Sequence, residues 1–242
     1  RAYADSSGKK KYGKYSSSVK ITIKNSSAAE SKVITVSPKS DTYKKKYMNT
    51  SWFTEQTRSY YVLRSYLEYF SNIGGGELHL KKGTYNLQFP LYIPSNTTVI
   101  FEDGVTIKRQ DKGTLFILCS YNDVNTGKKF YGYNGVHDIK IVGRGKVVFD
   151  KEFGGNAAIL MGHTKNILIE GITFARMSDT SAHFIEMDAS NNVEIRNCTF
   201  EGSTSGGKKE AINLDVPDPA TGGFTWEGSG QDKTANDTVY IH

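Results

Sequence analysis

Two short segments in the second half of the chain carry acidic and amide side chains at matching positions. The segments are HFIEMDA, residues 183–189, and EAINLDV, residues 210–216. Side chains alternate between the two faces of a β-strand, and Ile185 and Met187 are the apolar residues suited to the inner face of the first segment. That arrangement directs Phe184, Glu186 and Asp188 outward. We therefore predict a polar outer face on this strand.

Stacking the second segment on the first places carboxyl groups next to each other. In one parallel sheet, Glu186 lies beside Asn213, and Asp188 lies beside Asp215 at about 5 Å. Carboxylates this close share a proton or bind a hard cation such as Ca²⁺. A shared proton makes a general acid, and the spacing also suits a retaining glycosidase pair. Asp188 and Asp215 are thus candidate catalytic residues and candidate Ca²⁺ ligands. The alternative is an ordinary solvated face of acidic side chains.

Neighbouring residues extend the candidate site. His183 and Glu210 begin the two segments and are candidate catalytic residues for proton transfer, with a hydrogen-bonded structural role as the alternative for His183. Glu186 and Asn213 are candidate substrate-binding residues. Three loop residues complete the predicted substrate contacts: Lys208, Lys209 and Trp226. The alternatives are that the two lysines are simply solvated and that the Trp226 ring packs under its own loop.

The strands that would carry these residues recur along the chain. Four segments share a pattern of short apolar strands ended by Gly, Asn or Asp: TVIFEDGVTI (98–107), DIKIVGRGKVVF (138–149), NILIEGITF (166–174) and NVEIRNCTF (192–200). A fifth, DTVYIH (237–242), begins in the same way. Repeats of about 20–30 residues with no helix between them predict a parallel β-solenoid whose coils stack into one core. An antiparallel β-sandwich is the weaker alternative, because it does not require repeats.

One amphipathic helix is predicted ahead of the repeats, over residues 54–72. Its apolar stripe has helical spacing and consists of Leu63, Tyr66, Leu67 and Phe70. The glycines that follow end the helix. An open solenoid end exposes apolar residues and strand edges, so we expect this helix to cap the N-terminal end of the stack.

The first 50 residues form a basic segment. They hold twelve Lys or Arg and three acidic residues, a balance of +9, whereas the rest of the chain carries −3. A basic tail on a mildly acidic body fits contact with an anionic wall or simple solvation, and it gives little support to nucleic-acid binding. We therefore predict a basic N-terminal arm, residues 1–50, and a β-solenoid domain, residues 51–242, that is truncated at its C-terminal end.

Two motifs near the start of the solenoid resemble a known superfamily. GGGELHLKKGTYNL (74–87), followed by LYIPSNTTVIFEDGVTIKR (91–109), is similar to the opening of the right-handed parallel β-helix proteins of the pectate-lyase and polygalacturonase superfamily. The resemblance covers roughly residues 52–242 and implies an all-β fold, a right-handed parallel β-helix. That superfamily holds lyases, hydrolases, epimerases, esterases and non-catalytic adhesins, so the resemblance implies no single activity.

The catalytic motifs of the superfamily are matched only in part. KKEAIN (208–213) resembles the second half of the N-T-D-G-[IF]-D strand of polygalacturonases, with Glu210 at the position of the middle acid. Lys208 and Lys209 replace the Asn-Thr that precedes it. No Asp-Asp pair follows this strand, and the Gly-His-Gly and Arg-x-Lys motifs are absent from the remaining residues, 214–242. The Ca²⁺-binding aspartates and catalytic arginine of pectate lyases have no clear match either.

Two hypotheses of function follow. The first is an extracellular, carbohydrate-active β-helix protein of bacterial type that binds an acidic or plant-type polysaccharide and, as a lyase or glycoside hydrolase, would cleave it. The second is a non-catalytic cell-surface or adhesion module with the solenoid as a rigid spacer. Both predict a secreted monomer within a longer chain, with polysaccharide as the partner and neither nucleic-acid binding nor membrane insertion. Ca²⁺ is the one cofactor considered.

Overall fold

The computed structural model describes residues 2–4, 10–12, 32–109, 111–152, 157–177, 182–203, 210–220 and 228–242. The chain divides into two compact units, Arg1–Glu30 and Ser31–His242. In the first unit, strand β1 (Ala2–Ala4) pairs antiparallel with β2 (Lys10–Tyr12). The larger unit contains the candidate site.

The second unit is built of short strands with two α-helices. In chain order its elements are β3 (Val33–Val36), α1 (Arg58–Ile73), β4 (Gly76–Leu80), β5 (Gly83–Leu87), β6 (Leu91–Ile93), β7 (Thr97–Phe101), β8 (Val105–Arg109), β9 (Phe116–Leu118), α2 (Tyr121–Thr126), β10 (His137–Gly143), β11 (Val148–Asp150), β12 (Ile159–Gly162), β13 (Lys165–Glu170), β14 (Thr173–Ala175), β15 (Ile185–Asp188), β16 (Asn191–Arg196), β17 (Thr199–Glu201), β18 (Ile212–Asp215) and β19 (Asp237–Ile241). A 3-10 turn, Tyr43–Lys45, lies between β3 and α1.

These strands form three parallel sheets, and each full coil of the chain contributes one strand to each sheet. Sheet 1 has the order β19-β16-β13-β10-β7-β4-β3, sheet 2 the order β17-β14-β11-β8-β5, and sheet 3 the order β18-β15-β12-β9-β6. Every neighbouring pair in these sheets is parallel. Three parallel sheets wound by successive coils make a parallel β-helix, as the repeats predict.

The predicted register of the coils is confirmed. Ile159, Ile185 and Ile212 are paired in sheet 3. In the same sheet, Met187 pairs with Met161 on one side and with Leu214 on the other. The inward-facing residues of β12 and β15 are fully buried in the core: Ile159, Met161, Ile185 and Met187. Leu214 is 46% exposed, because β18 is the edge strand of sheet 3.

Helix α1 is the predicted capping helix, beginning at Arg58 rather than residue 54. It packs against β5 and β6, which are the edge strands of sheets 2 and 3. Leu63 and Phe70 on its inner face are buried in the core cluster that continues along the coils. The helix ends at Gly74, whose φ of 85° is accessible to glycine without strain. The helix therefore covers apolar residues and strand edges at this end of the stack.

The structure corrects the predicted boundary at residue 50. Strand β3 pairs in parallel with β4 and extends sheet 1 by one strand. Val36 of β3 is buried in the common core. The hydroxyl of Tyr85 lies 2.9 Å from the Lys81 carbonyl and 3.2 Å from the Val36 carbonyl, so its one hydrogen is donated to either or shared between them. The segment from Ser31 onward therefore belongs to the β-helix unit. The run KVITV (32–36) is readable from the sequence as a short strand, but nothing local indicates that it pairs with the first coil.

Among the described residues, no helix combines the length and apolar character needed to span a membrane.

Candidate functional site

The outer face of sheet 3 changes character from coil to coil. Cross-strand pairing places five outward side chains in one column, here called the outer column: Tyr92, Ile117, Leu160, Glu186 and Asn213. The first three belong to β6, β9 and β12, and the last two to β15 and β18. The column is thus apolar or aromatic over three coils and becomes acidic and amide-bearing at β15.

The apolar part of the outer column is covered by the connection between β9 and β10. Phe130 from this connection packs with Ile117 and Cys119 in a second buried cluster, against which Tyr92 and Leu160 are packed. The Phe130 amide donates to the Gly228 carbonyl at 2.8 Å, and the Gly230 amide donates to the Phe130 carbonyl at 2.8 Å. Two loops therefore meet over the early coils, where apolar outward residues gain from burial.

Glu186 lies at the start of the polar part. The Asn213 side-chain amide donates to Glu186 Oε1 at 3.0 Å and to Oε2 at 3.2 Å. His183 Nε2 lies 3.6 Å from Glu186 Oε2. Burial raises the pKa of Glu186, while the neighbouring His183 and the Asn213 hydrogen bond act in the opposite direction. The carboxyl group is thus held in place by neighbours from the same coil and the next one.

His183 is oriented by the backbone of the following coil. Its Nδ1 lies 3.0 Å from the Glu210 carbonyl oxygen, and because a carbonyl only accepts, Nδ1 carries the hydrogen of this bond. In a neutral imidazole, Nε2 is then the unprotonated nitrogen that faces Glu186. The exposed Glu210 carboxylate lies 3.4 Å from Nδ1. Nε2 of His183 therefore faces the Glu186 carboxyl at 3.6 Å, which is beyond direct hydrogen-bond distance.

Asp188 differs from its predicted setting. The alternation rule placed it on a solvated outer face, but its side chain is fully buried and neither carboxyl oxygen has a hydrogen-bond partner. Burial, with the charges of Glu186 and Asp215, raises the pKa of Asp188 to about 8. A buried carboxyl without donors is stable only in its neutral form. At neutral pH, Asp188 is therefore a protonated carboxylic acid.

Asp215 lies beside Asp188, as the register predicts, at the end of β18. It is half-buried, and its Oδ1 accepts a hydrogen bond from the Val216 amide at 2.8 Å. Asn236 ties the two coils together. Its side-chain amide donates to the Asp215 carbonyl at 2.9 Å and to the Met187 carbonyl at 3.1 Å. Sequence inspection missed this residue, since Asn236 lies in a polar loop with no repeat signal.

Phe184 also departs from the predicted alternation. It was expected to point outward, yet it is buried in the core. Its ring lies 6.0 Å from that of Phe174 and 5.8 Å from that of Phe200, both on sheet 2. Phe184 immediately precedes β15, so the chain is still turning between sheets 2 and 3 at this point and the strand rule does not yet apply.

The predicted Ca²⁺ ligands are two neighbouring carboxyl groups, those of Asp188 and Asp215. Ca²⁺ takes six to eight oxygen ligands, and two neighbouring carboxyls supply only part of such a shell. Among the described residues, no group of three or more His, Cys, Asp or Glu side chains is arranged to hold a metal ion. Binding through Asp188 would also have to release the proton that burial keeps on this carboxyl. The described residues therefore offer the paired carboxyls of Asp188 and Asp215 but no larger cluster of acidic ligands at this position.

Three of the predicted substrate contacts cannot be placed. Lys208, Lys209 and Trp226 lie outside the described residues. The structure brings together His183, Glu186 and Asn213, with Glu210 beside them.

Comparison with known proteins supports the fold. No family model matches the chain, and no curated protein matches it. Two structures of PfbA, a surface adhesin of Streptococcus pneumoniae, are similar with a TM-score of 0.58 each. One is 19% identical over 78% of this chain and 45% of that chain, and the other 17% identical over 86% and 52%. The chain thus spans about half the length of these adhesin chains. Similarity at this level establishes the parallel β-helix fold.

Proposed function

We propose that this chain is the β-helix part of a bacterial cell-surface protein that binds polysaccharide on the outer face of sheet 3. The observation that carries the proposal is the arrangement of Glu186, Asn213 and His183. A carboxyl, an amide and an imidazole are held in fixed relative positions by hydrogen bonds and backbone register. Sugar hydroxyls both donate and accept hydrogen bonds, so such a mixed and pre-organised set suits them.

The charge of the site favours a neutral saccharide over a polyuronate. Among the described residues, no lysine or arginine forms an ion pair with Glu186, Asp188 or Asp215. A uronate chain would bring further carboxylates against Glu186 and Asp215, and like charges in contact oppose binding. Neutral hydroxyls meet no such repulsion.

Display at the bacterial surface is supported by the similarity to PfbA, which is a surface adhesin. A stack of parallel coils is also a rigid rod that holds its outer faces away from the cell. Binding of host or neighbouring-cell glycans on such a face would serve adhesion without catalysis.

Hydrolysis of the bound glycan is the second candidate, and one observation favours it. Burial raises the pKa of Glu186, which unlike Asp188 is partly exposed, and the His183 ring lies 3.6 Å from its carboxyl group. A carboxyl whose pKa is raised above its ordinary value is better suited to act as a general acid than an unperturbed one. Glu186 would donate the proton to the leaving oxygen, and Asp215 lies on the adjacent strand as the second carboxyl.

We expect the double variant Glu186→Gln/Asn213→Ala to lose at least tenfold in affinity for a neutral polysaccharide at this face. The substitutions remove an acceptor and a donor but leave the inner residues of β15 and β18 intact. Affinity electrophoresis against xylan, mannan, mixed-linkage glucan and polygalacturonate, followed by calorimetry on the polymer that retards wild type most, measures the effect.

Glu201→Gln serves as the matched control, because Glu201 is an exposed carboxylate on sheet 2. It should bind as wild type does. If none of the four polymers retards wild type, or if the double variant binds with unchanged affinity and stoichiometry, the proposed binding face is wrong. Release of reducing ends by wild type, abolished in Glu186→Gln, would establish hydrolysis. Binding without release of reducing ends would identify an adhesion module.

A further inference from the structure

A groove crosses the strands on the outer face of sheet 1, on a different sheet from the candidate site on sheet 3. It has a volume of about 350 Å³ and spans β10, β13 and β16. Two columns of side chains line it. The first, here called the amide ladder, consists of Asp138, Asn166 and Asn192, and the second, here called the mixed column, consists of Lys140, Leu168 and Glu194.

The amide ladder is ordered by hydrogen bonds from coil to coil. The Asn192 amide donates to Asn166 Oδ1 at 2.9 Å, and the Asn166 amide donates to Asp138 Oδ1 at 2.8 Å. The three residues share left-handed backbone conformations with φ of 54°, 57° and 56°, which Asn and Asp adopt more readily than other side chains. Each amide uses one N–H in the ladder and keeps a second one. The ladder thus presents repeated polar groups at fixed positions.

The mixed column continues past the groove to an aromatic residue. Lys140, Leu168, Glu194 and Tyr240 are consecutive cross-strand partners. Tyr240 is 59% exposed. Lys140 is exposed and forms no ion pair with a described residue, whereas Glu194 pairs with Arg196 at 3.1 Å. A positive, an apolar, a negative and an aromatic side chain therefore follow one another along the mixed column.

The spacing of these groups indicates the kind of ligand. Neighbouring coils repeat every 4.8 Å or so, and equivalent groups therefore recur along the axis of the stack. A ligand that exploits this repetition is itself an extended polymer. Charges of both signs line the groove, so neither a polyanion nor a polycation gains a strong attraction there.

We propose that this groove is a second glycan-binding face that takes an extended, neutral polysaccharide along the stack axis. Sugar hydroxyls would accept from Lys140 and the free amide N–H groups, and donate to Glu194. Leu168 and Tyr240 would pack against the C–H faces of the sugar rings, as apolar and aromatic side chains do in ligand sites. This face goes beyond the proposed function, because it lies on a different sheet and shares no residue with the site on sheet 3.

Calorimetric titration with neutral hexasaccharides tests the second face separately from the first. The probes are cellohexaose, xylohexaose and mannohexaose, and the variant is Lys140→Ala/Tyr240→Ala, which leaves the amide ladder intact. We expect wild type to bind the preferred hexasaccharide at two sites, and this variant to keep one. Lys165→Ala is the matched control, since Lys165 is an exposed lysine on β13 that does not line the groove.

The experiments distinguish failure of the second face on sheet 1 from failure of the proposed site on sheet 3. If Lys140→Ala/Tyr240→Ala binds with the stoichiometry and affinity of wild type, the second face is wrong and the proposed function stands. If Glu186→Gln/Asn213→Ala behaves as wild type while Lys140→Ala/Tyr240→Ala loses a site, the proposed function is wrong and the second face stands. If no hexasaccharide binds wild type at millimolar concentration, the second face is rejected.

Discussion

Replacing Ile185 with Asp is expected to prevent folding of the β-helix unit. Ile185 is fully buried between Ile159 and Ile212, its partners on the neighbouring coils. Removing the side chain costs about 2–5 kcal/mol, and an unpaired buried carboxylate adds several kcal/mol more. Domains are stable by only about 5–15 kcal/mol, so the sum approaches or exceeds the total. Circular dichroism and size-exclusion chromatography of the purified variant measure the result.

Leu168→Asp is the matched control for that experiment. Leu168 lies on β13, on the outer face of sheet 1, and is partly exposed. The same change of an aliphatic residue to Asp should therefore leave a folded protein with a cooperative melt. A folded Ile185→Asp variant that melts cooperatively would show that the coils are in a different register.

The second large effect concerns the pH dependence of stability. In the folded chain the pKa of Asp188 is raised to about 8, compared with 3.8 for the unperturbed side chain. Between these values the folded state holds a proton that the unfolded state has released, so folding takes up a proton and stability falls as pH rises. The total loss from pH 4 to pH 8 is on the order of 5 kcal/mol. Below pH 4, both states are protonated and the residue has no such effect.

We expect Asp188→Asn to remove that loss. The amide has the shape of the protonated carboxyl and no charge to release, so the variant should match wild type near pH 4 and exceed it in stability at pH 8. Urea unfolding at pH 4.5, 6, 7.5 and 9 measures the difference between the two proteins. Glu201→Gln, an exposed carboxylate on β17, controls for the change in net charge. Parallel pH curves for wild type and Asp188→Asn would mean that Asp188 is ionised in the folded state.

Much of the β-helix could be predicted from the sequence, because its core is periodic. Each coil repeats an apolar pattern, so aligning Ile159, Ile185 and Ile212 sets the register for every residue between them, including the pairing of Asp188 with Asp215. The capping helix was also predictable, since its apolar stripe has helical spacing. Local patterns suffice where each coil contacts only its neighbours.

Features that depend on loops were not predictable in this way. The alternation of side chains along β15 correctly predicts that Glu186 points outward. It does not predict that Asp188 is covered by other residues, and Asp188 is fully buried. Phe184 lies in a corner between sheets, where side-chain direction follows the turn rather than the strand. Strand β3 is separated from its partner β4 by α1, so no repeat period marks it. In each case long-range contacts override the local pattern.

Side-chain NMR of Asn213 tests most directly whether the outer face of sheet 3 binds glycan. The Asn213 amide donates to both oxygens of Glu186, so a sugar hydroxyl that engages either group must change the environment of its N–H protons. Adding the best-binding neutral hexasaccharide should shift the Asn213 side-chain resonance along a saturating curve, with the Kd that calorimetry gives for the site lost in Glu186→Gln/Asn213→Ala. A resonance that stays unmoved while calorimetry reports saturation of the protein would show that the glycan binds elsewhere and that sheet 3 is not the binding face.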